Sequence, residues 1–217
     1  MHSFTTSDQQ TAIKTKRSFI IISTAAALIS TWNCTSGKQD PLPVLGSVPE
    51  FTLIERSGQP FGLNNLQDQI WIADFIFTNC GSICPIMTTA MTRVQQTLVR
   101  EKLEQVKIVS ITVDPERDTP EILSRYANNY GAEVGRWYFL TGARTAIEEL
   151  ATKGFMLGTE TGGGPQDLIV HSDRFVLVDR QGRIRGYYHG TEKDEVAQLL
   201  KDLKKLYRET TTGGATS

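Results

Sequence analysis

The nearly continuous apolar run Gln69 to Phe77 (QIWIADFIF) is the feature that most limits how this chain can fold. A run of that length, rich in β-branched and aromatic residues, fits a strand buried on both faces. It ends at Thr78-Asn79-Cys80, and Pro85 opens a stretch to about Gln105 with apolar residues at helical spacing: Ile86, Met87, Ala90, Met91, Val94 and Leu98. Proline is at home in the first turn of a helix. The unit is therefore a buried strand, a loop holding Cys80 and Cys84, and a helix.

Val106 to Val113 (VKIVSITV) predicts a second buried strand, and Thr119-Pro120-Glu121 opens a helix to Tyr130 with a threonine cap and proline at the first position. Before the central run, Phe51 to Ile54 and Phe61 to Leu63 flank the turn Ser57-Gly58-Gln59-Pro60. After it come a short strand at Trp137 to Leu140 and a capping box at Thr145-x-x-Glu148 for a helix ending at Gly154. A strand at Arg174 to Val178 turns through Asp179-Arg180-Gln181-Gly182 into Ile184 to Tyr188, and a last amphipathic helix runs from about Glu192 to Tyr207. Alternating β and α with a closing antiparallel hairpin describes an α/β fold, a thioredoxin-like three-layer sandwich with a central mixed sheet.

That domain is expected over 48–207. Ahead of it, Lys14, Lys16 and Arg17 precede the apolar run Ser18 to Trp32, so 1–34 reads as a signal or membrane-anchor segment that exports the globular part. Cys34 ends this leader. The preceding Thr31-Trp32-Asn33 lacks the usual lipobox residues, which leaves two anchors open: a lipid on Cys34, or an uncleaved helix with Cys34 as a free thiol. Residues 35–47, polar and punctuated by Pro41 and Pro43, read as a flexible tether, and 208–217 as a mobile tail.

Charge narrows the function. Lys and Arg number 23 against 24 Asp and Glu, and no basic block exceeds Lys204-Lys205, so nothing here builds a phosphate-tracking surface and nucleic-acid binding is set aside. Three cysteines are too few for a disulfide scaffold, so Cys80 and Cys84 need a chemical explanation. They lie at the carboxyl end of a buried strand, where open α/β sheets place ligand chemistry, and beside a helix N-terminus, which favours the thiolate. Because the residue before proline avoids the helical region, Cys84 is expected as the N-cap, with Cys80 in a loop that Gly81 lets fold back. Such a pair can form a disulfide or hold a soft metal, and spacing does not choose between them.

A metal needs another ligand. Of the three histidines, His2 lies in the leader and His189 follows a strand end. His171 stands just before the strand at Arg174, in the loop that faces the cysteine loop in a thioredoxin-like topology. Two thiolates and one imidazole suit Cu(I), and with an added ligand Cu(II); zinc would want a fourth protein ligand in a structural site. Met87 and Met91 share a helical face near Cys84 and are expected as core residues, not ligands.

The chain resembles the Sco/SenC family. The resemblance runs from Val48 to about Tyr207 through FTNCGSICP around Cys80 and Cys84, Ser110 to Pro120 (SITVDPERDTP), Phe139-Leu140-Thr141-Gly142, Ile169-Val170-His171-Ser172 and Leu177-Val178-Asp179. It departs at Gly81, where many members have proline. Resemblance to that family implies copper binding by Cys80, Cys84 and His171, a cysteine pair that cycles between dithiol and disulfide, and help in assembling the copper A centre of cytochrome c oxidase. The implied partners are oxidase subunit II or another cuproprotein, a copper donor or thiol reductant, and the cytoplasmic membrane through the N-terminal segment, with the domain on the periplasmic side. Asp114 is a candidate outer-shell partner, and Asp118 a helix cap.

Two further readings use the same residues: a thiol-disulfide reductase that keeps a cuproprotein's cysteines reduced, with Cys80 or Cys84 attacking through a mixed disulfide, and a redox or copper sensor. A thiol peroxidase would need Pro-x-x-x-Thr/Ser-x-x-Cys, and the corresponding positions before Cys80 are Ala73 and Phe77.

Overall fold

The computed structural model describes residues 40–158 and 172–212. The whole leader 1–34 with Cys34, residues 35–39 of the tether, residues 159–171 with His171, and the last five residues of the tail lie outside them. Eight strands form one mixed sheet: β1 (Gly46–Ser47), β2 (Thr52–Glu55), β3 (Pro60–Gly62), β4 (Ile70–Ile76), β5 (Val106–Thr112), β6 (Trp137–Thr141), β7 (Arg174–Val178) and β8 (Arg183–His189). Their spatial order is β1-β8-β7-β4-β5-β6-β2-β3. The parallel core β4-β5-β6 is flanked by antiparallel strands on both sides.

Strand β4 is buried at every position, as its apolar run requires. Its side chains alternate between two layers. Ile70, Ile72 and Ile76 pack with α1 (Ile83–Arg100), α2 (Pro120–Asn129) and α4 (Lys193–Thr212), whereas Trp71, Ala73 and Phe75 pack with Ile147 of α3 (Arg144–Glu149), with Leu150 and Ala151 of the wider π turn Leu150–Gly154, and with Phe155. Two apolar layers around one sheet make the three-layer thioredoxin-like sandwich. Met87 and Met91 are fully buried in the first layer.

Four local expectations differ. Helix α1 starts at Ile83, with Ser82 as its N-cap, so Cys84 and Pro85 occupy the first turn instead of the boundary. Proline costs nothing there because first-turn N–H groups have no helical acceptor. Helix α3 starts at Arg144, which puts Thr145 inside the helix and leaves no side-chain cap. The tether boundary also moves. Gly46–Ser47 pairs with β8, and the buried Arg185 donates to the carbonyls of Pro43 at 3.0 Å and Leu42 at 2.5 Å. A buried guanidinium needs its donors satisfied, and residues 42–43 satisfy two of them, so residues 42–47 are strapped to the domain. At the other end α4 continues past Tyr207 to Thr212, so the boundary at 208 falls inside a helix.

Candidate metal centre

The cysteine loop is built from the carboxyl end of β4 and the first turn of α1. Cys80 lies in the loop, half-buried, and Cys84 is buried. Both are thiols. The Cys84 N–H points at the Cys80 sulfur, with N···Sγ 3.5 Å, and the Ser82 hydroxyl lies 3.6 Å from the same sulfur. Gly81 has open space around its Cα and no left-handed φ, so the loop closes without needing glycine there.

The two thiols differ in acidity. Burial resists ionisation of Cys80, but backbone hydrogen bonds from Cys84 and Ser82 and the Ser82 hydroxyl outweigh it, and the thiol is drawn down to about 7. First-turn N–H groups at a helix N-terminus do this generally. Burial pushes Cys84 up to about 12; a backbone bond at Phe77 opposes this, while the Cys80 sulfur and Asp74 reinforce it. Near neutral pH Cys80 is therefore partly ionised, while the buried Cys84 stays a protonated thiol.

Asp74 lies on the side of β4 that faces α1 and is fully buried. One oxygen accepts from the Ser110 hydroxyl at 2.6 Å, which also accepts from the Trp137 indole N–H at 2.9 Å; the other, Oδ2, is buried without a partner among the described residues. Burial raises this carboxyl to about 7 against the Ser110 hydrogen bond. Its effect on Cys84 makes it part of the site, and the sequence signal was available: one acid within an otherwise apolar strand.

A second missed residue is Asp118. Its fully buried carboxyl accepts from the Thr78 N–H at 3.0 Å, the Thr78 hydroxyl at 2.5 Å and the Thr112 hydroxyl at 2.5 Å. Thr119 caps α2 through Ile122 N–H as expected, whereas Asp118, expected to help cap that helix, pins the start of the cysteine loop. Asp114 pairs with Arg117 at 2.8 Å and Arg144 at 3.8 Å. On the other side of Cys84, Thr88 donates to the Cys84 carbonyl at 2.8 Å and meets the Tyr126 hydroxyl at 2.7 Å, tying the first turns of α1 to α2.

His189 is engaged structurally, its Nδ1 2.8 Å from Asp173. Among the described residues there is no cluster of three or more His, Cys, Asp or Glu that could hold a metal ion, and the third ligand expected from the sequence is outside them. His171 lies there.

Comparison with known proteins agrees with this architecture. The SCO1/SenC family model matches residues 43–208. The SCO1 protein homolog of Bacillus subtilis is 38% identical over 189 residues, covering 85% of this chain and 96% of that protein. A SCO1/SenC family lipoprotein from Bacillus anthracis superposes with a TM-score of 0.68 at 30% identity, covering 77% of this chain and 99% of that one. BsSco, described as a member of the Sco family of cytochrome c oxidase assembly proteins with a disulfide switch, gives 0.65 at 36% identity, covering 76% and 96%. Copper-bound ScoI of Arabidopsis thaliana gives 0.61 at 25% identity, covering 75% and 98%. The chain belongs to the SCO1/SenC family.

Proposed function

We propose that this chain binds copper through Cys80, Cys84 and His171 and hands it to a cuproprotein, the copper A site of cytochrome c oxidase subunit II. The observation that carries the reading is the asymmetric thiol pair: Cys80 at about 7 is ready to ligate, and Cys84 at about 12 releases its proton as the metal arrives. Thiolates favour Cu(I), and an imidazole completes a low-coordinate soft set from which an acceptor's thiols can take the ion by stepwise exchange. When a partner disulfide accepts two electrons, the cysteine pair cycles to a disulfide, and copper is released because one sulfur pair cannot do both at once. The leader 1–34 tethers the domain to the cytoplasmic membrane on its periplasmic side, through a lipid on Cys34 or an uncleaved helix; a relative in the family is a lipoprotein.

The same asymmetry favours a second reading, a thiol-disulfide reductase of the acceptor's cysteines. Cys80 would attack, and Cys84, protonated until a mixed disulfide forms, would resolve it. One experiment separates the two. Copper-loaded protein is mixed with the reduced, metal-free copper domain of oxidase subunit II, beside the His171→Ala variant. After one-electron oxidation of the mixture with ferricyanide, formation of the copper A absorption with the parent protein and its loss in the variant supports delivery. Absence of transfer from the parent, together with reduction of an oxidised acceptor by both proteins, would replace delivery with the reductase.

A further inference from the structure

An apolar groove starts one residue after Cys84. Helix α1 gives it Ile86, Ala90 and Arg93, and helix α4 gives Lys193, Val196 and Leu200. These recur at helical spacing on the two helices and line a volume of about 630 Å³. Ile86 is 54% exposed, a large apolar side chain at the mouth of a reactive thiol site. Both charged groups in the groove are cations, and neither Arg93 nor Lys193 makes a side-chain hydrogen bond or ion pair among the described residues. Glu192, Asp194 and Glu195, the acids nearest in sequence, do not line it.

We propose that this groove docks an extended or helical segment of the acceptor protein that carries apolar side chains and at least one carboxylate. Apolar walls bury the side chains and the two cations receive the acid, while the groove's end beside Pro85 brings the docked chain to the cysteine loop. Docking thereby raises the local concentration of the acceptor's sulfur at Cys80. The inference rests on the reading that the dithiol exchanges with a partner protein, and it holds for copper delivery and for reduction alike.

The test uses the full-length reduced protein and a short synthetic peptide of leucines and glutamates, whose terminal cysteine is capped as a nitrothiobenzoate disulfide. The Cys80 thiolate attacks the peptide sulfur, a Cys80–peptide disulfide forms, and the coloured nitrothiobenzoate thiolate leaves; Cys84 can then displace the peptide thiol, forming the Cys80–Cys84 disulfide. Control peptides carry lysine in place of glutamate or serine in place of leucine. The acidic apolar peptide is expected to react at least about tenfold faster than either control, an advantage set by effective concentration. The advantage should vanish in Arg93→Glu/Lys193→Glu and in Ala197→Glu; Ala197 of α4 also lines the groove, and all three positions are exposed, so the changes leave the fold intact. Reaction with the small free disulfide reagent should be unchanged in every variant. Equal rates for all three peptides, or variants that keep the advantage, would overturn the inference. So would a peptide rate that falls as protein concentration rises, since a second copy would then fill the groove. No copper is involved, so loss of copper binding in His171→Ala is read separately and bears only on the proposed function.

Discussion

The Asp118 carboxyl holds Thr78 twice, through the backbone N–H at 3.0 Å and the hydroxyl at 2.5 Å, across forty residues of sequence. Thr78 stands two residues before Cys80, so the bond joins the loop after β5 to the loop that carries the first cysteine. Thr112 completes the clamp. Replacing Asp118 with alanine strands three donors, two on the partly buried Thr78 and one on the buried Thr112, and the expected cost is about 2–4 kcal/mol of stability. Asp118→Asn keeps one acceptor and should cost less. Urea unfolding gives the energies, and faster amide exchange at Thr78 to Cys80 would show that the loop has loosened. An alanine variant as stable as the parent would contradict the assignment.

Alkylation separates the two thiols. With Cys80 at about 7 and Cys84 at about 12, iodoacetamide at neutral pH should label Cys80 at least about tenfold faster. The Cys80 rate should climb with pH and level off above about 7 as the thiolate fraction saturates. Mass spectrometry of pH-quenched samples reads both sites. A midpoint near that of an ordinary thiol, or Cys84 reacting first, would remove the acidity argument.

Asp74 should tilt the stability profile. Its carboxyl titrates near 7 when folded and near 3.8 when unfolded, so between those values the folded protein holds a proton that the unfolded chain has released. Stability from this group is complete below pH 3.8, falls as pH rises, and is lost above about 7, a swing on the order of 4 kcal/mol. In Asp74→Asn that slope is absent. The difference between the parent and the variant in denaturant midpoints from pH 4 to pH 8 measures it, and a constant difference would contradict the buried, protonated state.

Gly81 is replaceable. Its Cα faces open space and its φ is outside the left-handed region, so alanine fits and restricts the unfolded chain. Gly81→Ala is expected to stabilise by about 0.4–1 kcal/mol, with copper binding retained. Thermal unfolding decides it; destabilisation would mean the loop depends on glycine after all.

Much of this was legible in the chain because periodicity reports burial directly. QIWIADFIF could only be an interior strand, and Thr119-Pro120 marked the start of α2. What was not legible depends on distant partners. Residues 40–47 look like a linker until Arg185, far along the chain, is found to need the carbonyls of Leu42 and Pro43. Asp118 beside a threonine-proline pair looks like a cap, and only the parallel pairing of β4 and β5 brings Thr78 within its reach. Cys84 looked like a boundary residue because proline disfavours a helical predecessor, yet the first turn of α1 absorbs that preference. Asp74 was visible as an acid in an apolar run, but its raised pKa follows from burial in the packed fold.

The central claim is a three-ligand copper site, and Cu(I) titration of the reduced full-length protein under anaerobic conditions tests it most directly, beside His171→Ala. The account predicts one Cu(I) per chain, with affinity weakened at least about tenfold in the variant, equivalent to roughly 1.4 kcal/mol or more of lost binding energy. Binding that is weak, or that His171→Ala leaves unchanged, would contradict the three-ligand site and leave the cysteine pair as a thiol-disulfide reductase.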